Sequence, residues 1–280
     1  MNNLHSTVQL NHGNKPFPWL GLGVWRVEEG ETVIQSVEEA IVQGYRHIDT
    51  AAIYQNEEGV GEGIRRGLAR TGLTRDDLFI TSKLWNDDSR AGREVEAYEE
   101  SLQRLGLEKL DLYLIHWPVE GKYLDSWKAL EGLYQAGRVG AIGVSNFHVH
   151  HLEKLLAAAT VKPAIDQLER HPRLVQAELK SFLDQHGILP VAWSPLAQGK
   201  ILDEPVLQAI AERHSKTTAQ VVLRWQLQTG WATIPKSIRP ARIQSNADLY
   251  DFTLTDEEIG TINSLDQHQR VGPDPDSFNF

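Results

Sequence analysis

The sequence predicts an α/β protein folded as a closed (β/α)8 TIM barrel, with an N-terminal β-hairpin cap and a C-terminal loop tail. Three observations lead there. Short runs rich in Val, Ile and Leu recur along the chain without polar alternation, as in parallel strands buried on both faces. Amphipathic stretches of helical period separate these runs, so strand and helix alternate through right-handed crossovers. Eight such strands fit within the 280 residues, and most end in a cluster of polar side chains.

Taken in order, Thr7–Leu10 and Phe17–Trp19 flank His12-Gly13-Asn14 and form the capping hairpin. Barrel strands follow at Leu20–Val24, Arg46–Asp49, Phe79–Ser82, Leu110–His116, Ala141–Ser145, Ala164–Gln167, Leu189–Trp193 and Ala232–Pro235. Among the helices, Glu31–Gln43 places Val33, Val37, Ala40 and Ile41 on one side, and Glu94–Leu105 does so with Val95, Tyr98, Leu102 and Leu105. A third, Glu178–His186, uses Leu179, Phe182 and Leu183. The capping pattern Thr255-Asp256-Glu257-Glu258 opens a last helix, and Leu265 to Phe280, with Gly272-Pro273-Asp274-Pro275, reads as a surface loop.

The competing architecture is an open doubly wound sheet, which usually carries a Gly-rich phosphate loop after its first strand. Here Gly21-Leu22-Gly23-Val24-Trp25-Arg26 sets Arg26 where the third glycine belongs. Gly59-Val60-Gly61-Glu62-Gly63 follows Asn56-Glu57-Glu58 rather than a strand, so both stretches read as packing glycines. With no linker or shift in composition, residues 1–280 are expected to form one domain.

A net charge of −10 argues against a general nucleic-acid or anionic-membrane binder. The lack of cysteine excludes disulfides, Cys-ligated metal and a thiolate nucleophile. Neither a secretory signal nor an apolar run long enough to span a membrane is seen, so a cytoplasmic enzyme is expected, and nothing demands more than a monomer.

Barrel enzymes build their sites at the C-terminal ends of the strands. Asp49, Lys83 and His116 stand at the ends of the second, third and fourth strands, and Tyr54 lies in the loop after Asp49. A Lys ammonium beside a Tyr favours the phenolate and is expected to lower the phenol's pKa, while the Asp keeps the Lys charged. Such a Tyr gives a proton to a developing alkoxide, and His116 directs the same oxygen.

Strands five to eight carry groups suited to a cofactor. Ser145, Asn146 and Gln167 offer hydrogen bonds to a carboxamide, and Trp193 offers a flat face for stacking an aromatic ring. Lys236, Ser237, Arg239 and Arg242 lead into a helix N-terminus as a phosphate site. Trp25, Ile53, Trp85, Trp117 and the tail around Phe278 make a broad apolar substrate wall. His148-Val149-His150-His151 begins a helix after the fifth strand with no matching acidic ligands and reads as a satisfied surface cluster without a metal.

Gly21-Leu22-Gly23-Val24-Trp25, Gly44-Tyr45-Arg46-His47-Ile48-Asp49-Thr50-Ala51, Ile115-His116-Trp117-Pro118, Ile234-Pro235-Lys236-Ser237 and Gly272-Pro273-Asp274-Pro275-Asp276 together resemble the aldo-keto reductases over nearly the whole chain. Within that family the chain looks like the bacterial 2,5-diketo-D-gluconate reductases, also described as methylglyoxal reductases. The resemblance implies carbonyl reduction by direct hydride transfer from NADPH, with Tyr54 as proton donor, Lys83 and Asp49 as its tuning pair and His116 orienting the carbonyl. It also implies Ser145, Asn146 and Gln167 at the nicotinamide carboxamide, Trp193 on its ring, and Ser194 and Leu196 along the pyrophosphate. Lys236, Ser237, Arg239 and Arg242 would then meet the 2′-phosphate, with Asn246 near adenine. Three positions depart from the family pattern: Trp193 for a Tyr, Ser245 for an acidic or amide residue, and Asp166 for an Asn. The alternatives are an alcohol or steroid dehydrogenase on the same site, or a non-catalytic nicotinamide sensor.

Overall fold

A computed structural model describes residue 1 and residues 3–280. Strands β1 (Thr7–Val8) and β2 (Phe17–Pro18) pair antiparallel as the hairpin. The barrel strands are β3 (Leu22–Gly23), β4 (His47–Asp49), β5 (Phe79–Leu84), β6 (Leu112–Ile115), β7 (Ala141–Ser145), β8 (Ile165–Glu169), β9 (Leu189–Trp193) and β10 (Ala232–Thr233). They pair in parallel and in sequence order. Closure comes from a bridge between Leu20 and Thr233, where Gly21 N–H donates to Thr233 O at 3.0 Å and Thr233 N–H donates to Trp19 O at 2.9 Å.

The helices are α1 (Glu31–Val42), α2 (Glu57–Thr71), the short α3 (Asn86–Ala91), α4 (Glu94–Leu105), α5 (Tyr123–Gln135), α6 (Val149–Ala158), α7 (Ala177–His186), α8 (Pro205–Arg213), α9 (Thr218–Gln228), α10 (Pro240–Ala247) and α11 (Asp256–Asn263). Thr255 caps α11 as its sequence predicts: its hydroxyl accepts from Glu258 N–H at 3.2 Å, and Glu258 accepts from Thr255 N–H at 2.9 Å. The tail beyond α11 contains no further helix or strand among the described residues.

Strand alternation sorts each side chain to one of two cores. Outward residues such as Ile48, Ile80, Tyr113 and Val144 pack under the helices. Inward residues, among them Phe79, Leu112, Leu114, Ile165 and Val191, fill the barrel, and Leu10 and Phe17 of the N-terminal segment join them. Phe17 is wholly buried and meets His47 and Phe79 edge-on at ring centroids of 4.7 and 5.0 Å. The hairpin therefore plugs the N-terminal end of the barrel, opposite the polar strand ends.

Several strand bounds differ from the sequence reading. The third barrel strand continues through Lys83 and Leu84 because its edge remains paired with β6, and the sixth runs on to Glu169 beside Trp193. The first and last keep only two residues each. Pro235 has no N–H for a ladder, and the adjoining seam is carried by single hydrogen bonds.

Candidate active site

Along β5, Phe79, Thr81 and Lys83 point into the barrel at successive levels, so Lys83 stands at the top of the packed interior. Parallel pairing sets Asp49 beside Thr81, one inward level below Lys83, and the lysine reaches across. Its Nζ donates to Asp49 Oδ1 at 2.6 Å, to Thr50 O at 2.9 Å and to Tyr54 Oη at 3.4 Å. A 3-10 turn over Ala52–Tyr54 follows β4, brings the Tyr54 phenol back over the barrel, and ends at Gln55 with a left-handed φ of 55°. From the far side of the barrel, Gln167 Nε2 donates to Asp49 Oδ2 at 2.7 Å. Both carboxylate oxygens thus accept from donors, the arrangement an ionised Asp requires.

Burial disfavours the Lys83 ammonium, but Asp49 and Tyr54 outweigh it and hold its pKa above the ordinary lysine value. Tyr54 corrects the sequence expectation. Burial raises its phenol above the usual value, Lys83 pulls it back only in part, and Asp49 adds to the rise. At neutral pH the phenol is therefore a protonated acid. His116, one residue past the end of β6, is held well below the ordinary imidazole value by burial and then by the Lys83 charge, so it is neutral. Its ring lies edge-on to Tyr54 at 5.8 Å and to Trp85 at 5.3 Å.

These groups open into a cleft of about 380 Å³ whose lining includes Tyr54, His116, Ser145, Asn146, Gln167 and Trp193. The polar members hold one another in place. Ser145 Oγ donates to Gln167 O at 2.8 Å, Asn146 Nδ2 donates to His116 O at 3.0 Å, and Trp193 Nε1 donates to Asn146 Oδ1 at 2.9 Å. Asn146 occupies a left-handed φ of 65° that orients this amide. Trp193 has Gly272 against its ring, where a Cβ would come within 2.5 Å of the indole.

Ser194 and Lys236 also line the cleft, whereas Leu196, Ser237, Arg239, Arg242 and Asn246 lie outside it. Lys236, Arg239 and Arg242 are exposed and make no ion pair among the described residues, and α10 starts at Pro240, immediately after Arg239. The Ser237 hydroxyl is buried and accepts from Arg239 N–H at 3.1 Å. Asn246 is buried on α10 and Ser245 half-buried beside it. Asp166 points away from the barrel. Its Oδ2 has no partner among the described residues, and burial keeps its carboxyl well above the usual range, offset in part by the Phe147 N–H.

Trp25, Ile53, Trp85 and Trp117 all reach the cleft. Of the tail, Phe280 lines it, stacked on Trp85 at 5.8 Å and 2°, while Phe278 stands behind, 5.2 Å from Trp117. Sequence reasoning misses Phe280 because nothing in Ser277-Phe278-Asn279-Phe280 says which ring turns inward. The tail is fixed by Glu169, buried at the end of β8, which accepts from Val271 N–H at 2.6 Å and Gly272 N–H at 3.1 Å. At the other end, Asn86 and Arg90 donate to Phe280 O at 3.1 and 2.7 Å.

The arrangement combines a neutral phenol, a neutral imidazole and a charged lysine at one apolar cleft, which suits proton delivery to an oxygen that gains negative charge. Comparison with known proteins agrees with this chemistry. Residues 19–267 match the model of the aldo/keto reductase family. A glyoxal reductase of Bacillus subtilis is 54% identical over 277 residues, covering 99% of both chains. A methylglyoxal reductase of Escherichia coli is 45% identical over 277 residues, covering 98% of both. The crystal structure of a Bombyx mori aldo-keto reductase in complex with NADP superposes with a TM-score of 0.89 at 38% identity, covering 97% of this chain and 96% of that one. The chain belongs to the aldo/keto reductase family and is an oxidoreductase.

Proposed function

We propose that this enzyme reduces aldehyde or ketone carbonyls to alcohols with NADPH, acting on small dicarbonyls of the methylglyoxal and 2,5-diketo-D-gluconate kind. The observation that carries the reading is Lys83 held between Asp49 at 2.6 Å and Tyr54 at 3.4 Å, beside a neutral His116 at the mouth of the cleft. The cleft also fits the cofactor. Trp193 offers a ring face braced by Gly272, Ser145, Asn146 and Gln167 offer amide and hydroxyl partners for a carboxamide, and three cations without an ion pair among the described residues follow the eighth barrel strand. When bound, reduced nicotinamide supplies the hydride to the carbonyl carbon.

Tyr54 then gives its phenolic proton to the oxygen, an alkoxide being a far stronger base than a phenolate. His116 holds that oxygen through an N–H, and the Lys83 charge, anchored by Asp49, steadies the phenolate left behind. Lys236, Ser237, Arg239 and Arg242 would hold the 2′-phosphate, with Ser194 and Leu196 along the pyrophosphate and Asn246 beside adenine. Trp25, Ile53, Trp85 and Trp117, with Phe280 of the tail, shape the substrate wall, and Phe278 backs it from behind Trp117. Relatives carrying reductase names support the direction of reaction.

Tyr54→Phe tests the acid. Reduction of methylglyoxal with NADPH should fall by about 10²–10⁴-fold, with cofactor affinity kept; an unchanged rate would remove Tyr54 from its role. For the cofactor, Arg242→Ala should raise KM for NADPH by much more than for NADH, and equal losses would undo the phosphate assignment.

A further inference from the structure

The His148-Val149-His150-His151 segment finds its missing acid in the tail. Asp276 lies beside the N-terminus of α6, with His148 Nδ1 at 2.9 Å from Oδ2, and with His150 Nε2 at 3.2 Å and His151 Nε2 at 3.7 Å from Oδ1. One ligand atom from each of the four residues falls within 4.8 Å of the others. We propose that His148, His150 and Asp276 form a binding site for a divalent transition metal of the zinc type, which ties the C-terminal tail to α6. The site owes nothing to the carbonyl-reductase reading and would stand if that reading failed.

The chemistry of each donor supports this assignment. Zinc bonded at about 2.0–2.1 Å in a tetrahedron requires neighbouring ligand atoms about 3.3 Å apart. His148 Nδ1 stands 2.9 Å from Oδ2 and His150 Nε2 stands 3.2 Å from Oδ1, so each imidazole is already near that spacing from its own oxygen of the carboxylate, and binding would turn Asp276 to present one oxygen to both. His150 and Asp276 are half-exposed, so an ion can reach them from solvent. His150 Nδ1 has no hydrogen bond within the cluster, which leaves it free to carry the proton when Nε2 binds metal.

His151 plays a different part. Its Nδ1 accepts the His148 backbone N–H at 3.1 Å, so a neutral ring carries its proton on Nε2, 3.7 Å from Asp276, and it braces the start of α6 without serving as a ligand. Arg270 donates to His148 Nε2 at 2.8 Å, which places the proton of a neutral His148 on Nδ1 in the metal-free protein. On binding, the metal takes the place of that proton, which moves to Nε2, and Arg270 turns to Asp274 and Glu169, already 3.6 and 4.0 Å away. The open fourth position is left for water.

The link matters for the cleft because Asp276 lies two residues before Phe278 and four before Phe280. A metal there would pin the segment that carries both rings.

Titration of the chelator-treated protein with zinc by calorimetry tests the proposal, with cobalt absorption in the visible range as the spectroscopic check. One saturable site in the micromolar range is expected, weakened more than about tenfold by Asp276→Ala and by His150→Ala and unaffected by His268→Ala, a largely exposed histidine outside the cluster. Circular dichroism establishes that each variant is folded. Absence of saturable binding at millimolar zinc, or a site that survives both substitutions, would overturn it.

Discussion

Lys83 has no exposed surface, yet its three donor hydrogens meet three acceptors: Asp49, Thr50 O and Tyr54. That satisfaction lets a charge persist inside the barrel. His47, two inward levels below at the height of Phe79, shows the opposite solution. It lies among Phe17, Phe79 and Thr81, and burial, aided by the Lys83 charge, lowers its pKa to about 3. His12 and His151 are likewise lowered to about 4, mainly by burial. In the unfolded chain these rings take up protons near about pH 6.5. Between that value and their folded values the unfolded chain binds more protons, so stability rises with pH across the window. It is fully present above about pH 6.5 and is lost as pH falls toward 4 and then 3. The urea midpoint should therefore drop steadily from about pH 6.5 to about pH 4, and a level midpoint across that range would contradict the burial of these imidazoles as neutral rings. At this same scale the sequence misleads. The Lys83–Tyr54 pairing is legible in it, but the pairing alone points to a lowered phenol, since the desolvation that outweighs Lys83 depends on how deeply the fold buries the ring.

Between elements, close approach is set by glycine. Gly59, Gly61 and Gly63 lie on α2, where the sequence placed packing glycines rather than a phosphate loop. Gly63 faces Ile34 O and Val37 of α1, each 2.8 Å from where a Cβ would stand. At Gly61 an added Cβ would overlap the carbonyl of Leu105 at the end of α4. Backbone cannot move aside as a flexible side chain can, so Gly61→Ala should cost about 1–3 kcal/mol. Chemical denaturation would measure it, and a loss well under that range would mean the two helices separate freely. Element types and some bounds were legible because hydrophobic period and capping are local: α4 and β7 fall where the pattern puts them, and Thr255 caps α11. Bounds failed where pairing decided them. Lys83 belongs to a strand because β6 continues to bond its edge, and local sequence does not encode that neighbour.

Across the whole molecule the barrel has a catalytic end and a sealed one. Phe17 fills the sealed end, far along the strands from Tyr54 and His116. Phe17→Ala should cost about 3–5 kcal/mol of stability through the cavity it leaves while kcat for carbonyl reduction stays near the parent value. A large fall in kcat with stability intact would show that the hairpin shapes the active site as well. Among the described residues no helix is long and apolar enough to cross a membrane. By itself the sequence determined the barrel, the order of its strands and the polar residues that end them, because periodicity and strand-end chemistry are written in consecutive residues. Only the tertiary structure decided which groups are neutral, that Phe280 and not Phe278 lines the cleft, and that Asp276 meets a histidine cluster beginning 128 positions earlier. Burial and long-range contact depend on how distant segments pack, and no local pattern carries that information.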